Sequence, residues 1–362
     1  MKRYLDCFVP IYACNFQCHY CYVSLLDNFR KMNTKFSRPV EEIVAALSRK
    51  RLGDDVFINL CAGGETLLVE DSVKLIRGLL EEGHHVAVVT NGSLSKRFEE
   101  IAKFPPELLK LLFFKFSYHY LELKRMNKLD EYFNNVRKMR DAGCSFTIEI
   151  TPSDELIPHV EEAKKICQEN VGAIPHCTIA RDDRTNGIDI LSDMSWEEYV
   201  KQWSTFESEL FAYKSRLYHH KVDSFCYAGA WSYYINLDTG DVSPCNCGRK
   251  FANVYENMDE PLPERAMGNN CELPYCYNGH GWLSLGVNPD EEAPVYTSLR
   301  SRVCPDGSEW VTEEYKKFWS SQIFANHQEY DGEEKKEINR RHKLEKYNLR
   351  RLAGKVYRKL RR

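Results

Sequence analysis

The chain has no apolar run approaching the roughly 20 residues needed to cross a bilayer as a helix. Its opening, Met1-Lys2-Arg3-Tyr4-Leu5-Asp6, carries no apolar segment of the kind a secretory signal requires. It also lacks net charge: 50 Lys and Arg stand against 53 Asp and Glu in 362 residues, a formal −3. No global field of one sign points to nucleic acid. These absences argue against a helical membrane protein and make the cytoplasm the expected location. A reducing cytoplasm disfavours structural disulfides, so the 14 cysteines need another explanation.

Eight of those cysteines are grouped. Cys14, Cys18 and Cys21 form one set, and Cys226, Cys245, Cys247, Cys271 and Cys276 form a second. The other six (Cys7, Cys61, Cys144, Cys167, Cys177 and Cys304) are scattered and read as small buried apolar side chains.

Between residues 3 and 180, short apolar runs alternate with stretches of helical period, the pattern of repeated βα units. Strands are expected at 5–9, 56–61, 85–90, 111–117, 145–151 and 177–180. Helices are expected at 39–50, around Val73–Ile76–Leu80, at 129–139 with Gly143 at its end, and around Ala163–Ile166–Cys167. The predicted class is α/β, a parallel (β/α)6 sheet or partial barrel, with its ligand site at the carboxyl ends of the strands. Residues 194–218 read as one further helix, and 224–290 as a small cysteine-rich unit. In that unit Trp231, Tyr233, Ile235 and Leu237 alternate at the strand period before the turn Asp238-Thr239-Gly240-Asp241. With little aliphatic core of its own, such a unit would draw folding energy from a metal cluster.

The first cysteine set reads Cys14-Asn15-Phe16-Gln17-Cys18-His19-Tyr20-Cys21 and follows the first expected strand directly. Three thiolates can hold three corners of a four-iron cluster and leave the fourth iron open to an outside ligand. The competing reading is a zinc site completed by Cys7 or His19. Cys7 lies within a strand, however, and His19 is too close in sequence to its neighbours to bind without strain.

The spacing C-x3-C-x-aromatic-C, with Tyr20 at the aromatic position, resembles the signature of the radical S-adenosylmethionine (SAM) superfamily. Three further segments match in order, each at the end of an expected strand. Cys61-Ala62-Gly63-Gly64-Glu65-Thr66 is similar to the family's Gly-Gly-Glu, Thr90-Asn91-Gly92 to its Thr-Asn-Gly, and Lys115-Phe116-Ser117-Tyr118-His119 to the segment whose serine meets the ligand. The resemblance implies a SAM-binding 4Fe-4S cluster on Cys14, Cys18 and Cys21, with Tyr20, Gly63, Gly64, Glu65, Asn91 and Ser117 around the SAM. In it the Glu65 carboxylate pairs with the ammonium of the methionine portion. It also implies reductive cleavage of SAM to a 5′-deoxyadenosyl radical and an electron donor such as a flavodoxin or ferredoxin.

In the second set, Cys226 is followed by thirteen residues, Gly240, four residues and Cys245, and Phe251-Ala252-Asn253-Val254 comes soon after. This resembles the opening of the SPASM and twitch extensions of that superfamily. The continuation expected for a full SPASM domain is missing. The resemblance therefore implies one auxiliary 4Fe-4S cluster, on Cys226, Cys245, Cys271 and Cys276, with Cys247 in reserve; a zinc knuckle is the alternative. His280-Gly281-Trp282 reads first as a cap on the hairpin and second as cavity lining. Asp238 and Asp241 read as turn residues rather than a general base.

The expected organisation is a radical SAM core at 1–190, a connecting helix at 191–223, the auxiliary unit at 224–290, an extension at 291–334 and a basic amphipathic helix at 335–362. That last stretch holds 13 Lys or Arg against two Glu, with Leu349, Leu352, Ala353, Val356, Tyr357 and Leu360 on one face. It is expected to dock on its own domain or to contact a membrane surface or an acidic partner. The expected activity is hydrogen abstraction from a peptide or protein side chain. The absence of an N-terminal recognition segment weighs against a ribosomal peptide. Oxidation of a carbohydrate-like small molecule, a non-enzymatic electron carrier and a nucleic-acid modifier are the alternatives.

Overall fold

The computed structural model describes residues 2–26, 34–54, 56–185 and 189–360, with side chains described as far as residue 347. Nine strands form one sheet in the order β6-β5-β4-β3-β2-β1-β7-β8-β9. They are β1 Tyr4–Val9, β2 Phe57–Ala62, β3 His85–Thr90, β4 Leu112–Ser117, β5 Ser145–Ile150, β6 His176–Cys177, β7 Ser232–Asn236, β8 Asp241–Ser243 and β9 Ala252–Asn253. β1 to β6 are parallel neighbours in sequence order, joined by crossover helices that include Ser72–Glu81, Leu129–Asp141 and Val160–Val171. This is the mixed α/β, mostly parallel architecture that the alternating pattern predicts.

Strand alternation explains both faces. Leu5, Cys7, Val9, Ile58, Leu60, Val86 and Val88 point to one face and join the helices in the main core. Residues one step out of phase face the other way and change character along each strand. At the amino ends Tyr4, Phe57 and Phe113 are buried in a second, aromatic core. Toward the carboxyl ends the same face carries Asp6, Asn59, Lys115, Ser117 and Glu149. The aromatic end is plugged by Glu313–Ser320: Trp319 lies edge-on to Phe57 at 5.3 Å, and Tyr315 Oη donates to the carbonyl of Leu111 at 2.6 Å. A polar site is left open at the other end.

Four local features differ from the sequence reading. Residues 194–218 form two helices, Trp196–Trp203 and Glu209–Leu217, not one. Glu207 adopts φ +47° between them, and the Ser208 side chain accepts from Phe211 N to start the second. Residues 39–50 break into Val40–Ala46 and Arg49–Leu52. The sixth strand is only two residues long. The hairpin at 232–243 joins the main sheet, because β7 pairs in parallel with β1, Tyr4 opposite Ser232 to Phe8 opposite Asn236. Tyr233, Ile235, Leu237 and Val242 therefore reach the main core.

The helix Gly332–Leu360 lies over the cysteine-rich loops. Asn339 Nδ2 donates to Asn269 Oδ1 at 2.9 Å, Lys346 pairs with Glu272 at 2.5 Å, Arg265 pairs with Glu345, and a His342 ring nitrogen meets the Ala266 carbonyl at 2.9 Å. The apolar stripe from Leu349 to Leu360 lies outside the described side chains. No described helix is long and apolar enough to cross a membrane.

Candidate active site at the carboxyl ends of the strands

The loop after β1 and the loop after β2 run side by side, backbone to backbone. Gly63 N donates to Val9 O at 2.9 Å, Gly64 N to Ile11 O at 2.7 Å and Glu65 N to Ala13 O at 2.9 Å. This approach requires glycine: a Cβ at Gly64 would fall 2.1 Å from the Ala13 carbonyl oxygen. The cysteine loop is thereby fixed against the Gly-Gly-Glu segment.

One cavity of about 350 Å³ is lined by Cys14, Cys18, Tyr20, Cys21, Gly63, Gly64, Glu65, Asn91 and Ser117. Every residue of the first predicted site faces the same space. Cys21 acts there on both Cys14 and Cys18. Burial pushes Cys14 up to about 11, helped by Glu65 and Cys21 and opposed by Phe16 N–H. Burial also raises Cys18, with Cys21, Glu122 and Cys14 adding to it. Cys21 is raised by burial against the amides of Val23 and Ser24 at the start of helix Tyr22–Leu25. One buried and two half-buried thiols lining one cavity, all held toward the neutral form, make a donor set that a cationic cluster would stabilise as thiolates. The residues present fit such a group.

Neither zinc alternative is assembled. Cys7 is fully buried in the sheet, and His19 turns outward to Glu155 at 2.8 Å. Among the described residues no group of three or more His, Cys, Asp or Glu closes around a single ion.

A polar frame surrounds the cysteines. Glu65 is 2% exposed, and its carboxylate accepts from Leu67 N, Thr90 Oγ1 and Asn91 N at 2.9, 2.7 and 2.7 Å. It is thus already bound to the Thr-Asn-Gly segment. Asn91 Nδ2 donates to Asn15 Oδ1 at 2.8 Å, Asn15 Nδ2 donates to Ser93 Oγ at 2.8 Å, and Ser93 Oγ donates to Asn91 Oδ1 at 2.7 Å. This ring pins the cysteine loop to the end of β3. Tyr20 Oη lies 2.8 Å from His119 Nδ1 just beyond β4, and burial holds His119 down at about 4. Tyr22 Oη donates to Gly63 O at 2.6 Å. Asn15, Ser93, Tyr22 and His119 were not singled out as site residues, because only the fold shows what they touch.

Three of the second cysteine set, Cys245, Cys247 and Cys271, share one cavity. Burial raises the Cys276 thiol, and Cys226, Cys245, Cys271 and Cys247 each add to it. This second cavity, of about 360 Å³, is walled on the far side by His342, Lys343 and Lys346. Gly240, at φ +78°, is needed here as well: its Cβ would lie 2.3 Å from Asn253 Oδ1. Asp241 pairs with Lys250 and Asp238 is exposed, so both behave as turn residues. His280 corrects the first reading of its tripeptide, because it lines the first cavity while Trp282 packs on Tyr4 at 5.0 Å.

No curated protein matches the chain in sequence. Among solved structures it is similar to Streptococcus suis SuiB bound to S-adenosylmethionine, at 17% identity over 72% of this chain and 67% of that one, with a TM-score of 0.49. It is also similar to native anSMEcpe with bound AdoMet, at 14% identity over 70% and 79%, with a TM-score of 0.47. The family described as the radical SAM superfamily matches residues 8–162, the span that holds Cys14, Cys18 and Cys21 with the Gly-Gly-Glu, Thr-Asn-Gly and Ser117 segments. Residues 8–162 therefore carry a radical SAM domain.

Proposed function

We propose that this enzyme abstracts hydrogen from a peptide or protein side chain and oxidises or crosslinks it. The observation that carries the reading is a second cavity lined by Cys245, Cys247 and Cys271, in a loop region whose β7 strand pairs with β1. The radical SAM domain at residues 8–162 implies a 4Fe-4S cluster and SAM. Cys14, Cys18 and Cys21 would hold that cluster, and Gly63, Gly64, Glu65, Asn91 and Ser117 would surround the SAM, with Tyr20 beside it. When bound, cluster and SAM supply a 5′-deoxyadenosyl radical.

The chain's own contribution is position and exclusion of water. The Asn15–Asn91–Ser93 ring and the Tyr20–His119 bond fix the cysteine loop against the ends of β3 and β4. Cys226, Cys245, Cys271 and Cys276 would hold an auxiliary cluster able to take the electron left on the substrate, with Cys247 as a further ligand. Residues His342, Lys343 and Lys346 of the terminal helix line the cavity onto which three of these cysteines open. A flavodoxin or ferredoxin would supply the initiating electron.

The test is deuterium transfer. Reconstituted enzyme with SAM and dithionite is given either a perdeuterated peptide pool or a perdeuterated small-metabolite fraction. Deuterium in 5′-deoxyadenosine from the peptides alone is the expected result. Deuterium from the metabolite fraction alone would overturn the peptide assignment and favour a carbohydrate-like substrate.

A further inference from the structure

Arg181, Lys214 and His280 all line the first cavity. They come from three separate places: the segment after β6, the helix Glu209–Leu217, and the short helix Gly279–Trp282. The two cations have neutral partners only. Arg181 donates to the carbonyl of Tyr277 at 3.1 Å and Lys214 to Thr178 Oγ1, and neither pairs with a carboxylate among the described residues. His280 Nδ1 is buried with no hydrogen-bond partner.

The other charges nearby do not neutralise them. Arg300, 1% exposed, is already paired with Glu149. Glu149, which burial alone would raise, is pulled down by Arg300 and then by Lys115 and Lys214. Asp6 accepts from Asn59 at 2.8 Å, and burial raises it toward its neutral form. Asp183 also lines the cavity but acts on Cys21 and Tyr22. Lys214 shows the imbalance: burial and Arg181 lower it to about 7, with Arg300 and Lys115 adding to this against Glu149. An uncompensated buried cation costs free energy that an incoming anion recovers.

We propose that Arg181 and Lys214 bind a carboxylate of the substrate, with His280 beside them to meet a further polar group. A carboxylate held by a guanidinium and an ammonium from two separate segments is fixed in direction as well as place. The hydrogen donor would then be an acidic residue or carboxyl terminus of a peptide, anchored in the first cavity. This rests on the proposed hydrogen abstraction from a peptide, but not on the identity of the peptide.

The test is equilibrium dialysis of radiolabelled glutarate, glutaramide and inorganic phosphate against the iron-reconstituted, SAM-loaded full chain. SAM is present so that the cofactor's own carboxylate is already accommodated. Glutarate is expected to bind once per chain, and K214M and R181Q are each expected to weaken it at least about tenfold. K214R is expected to retain most of the affinity, which separates lost charge from lost folding. Equal binding of glutarate and glutaramide, or no effect of either variant, would overturn the proposal. Preference for phosphate over glutarate would overturn the carboxylate assignment. A fall in SAM affinity in K214M or R181Q would assign the cations to the cofactor instead. Failure to bind glutarate in a protein that still releases 5′-deoxyadenosine would remove this inference and leave the proposed reaction standing.

Discussion

Glu65 Oε2 accepts the backbone N–H of Asn91 at 2.7 Å, while Oε1 takes Thr90 Oγ1 and Leu67 N. The Gly-Gly-Glu carboxylate is therefore the bolt between the ends of β2 and β3 as well as part of the first cavity's lining. In Glu65→Gln an NH2 replaces one acceptor and faces a donor. The expected cost is about 2–3 kcal/mol of folding stability, read by denaturant titration without SAM. Unchanged stability with lost SAM affinity would show that the side chain serves the ligand alone.

Gly64→Ala tests the backbone contact that fixes the cysteine loop. Its Cβ would lie 2.1 Å from the Ala13 carbonyl oxygen, so the two loops must separate. The expected variant stays folded through the rest of the sheet but takes up about half the iron of the wild type on reconstitution. Full iron uptake would show that the approach is dispensable.

Local features of this fold are written in the sequence and long-range ones are not. β1 to β5 fall within one residue of expectation because each is a short apolar run ended by turn residues. The cysteines, Gly-Gly-Glu and Thr-Asn-Gly segments were legible because each is local. The plug was not: Trp319 meets Phe57 across more than half the chain, and nothing in its own period announces it. Arg181, Lys214 and His280 share a cavity only because three distant segments meet there. The break at Glu207 was missed because the aromatic helical period continues on both sides of it.

Acid should destabilise the chain through two buried histidines. Burial holds His85 and His176 at about 3, whereas both titrate near 6.5 when unfolded. The unfolded chain binds the extra protons, so this stability is complete above about pH 6.5 and is lost as pH falls toward about 3. At about pH 5 each histidine is expected to contribute about 2 kcal/mol of destabilisation. Denaturation midpoints at neutral and mildly acidic pH measure it. His85→Phe, which keeps the stack on Phe318, should flatten the dependence.

Removing the chain after Asp331 takes away the helix that walls the second cysteine cavity. The expected truncated protein loses the second set's iron to a chelator at least about tenfold faster while keeping the first set's. Equal rates at both would show that the helix plays no part in shielding.

The most direct measurement is 5′-deoxyadenosine release by reconstituted wild type and by the triple variant Cys14→Ala, Cys18→Ala, Cys21→Ala, with iron counted in both. Wild type should release it with SAM and dithionite. The variant should release none while retaining about half the iron, held by the second set. Release by the triple variant, or none from iron-loaded wild type, would contradict the assignment of these three thiols to SAM cleavage.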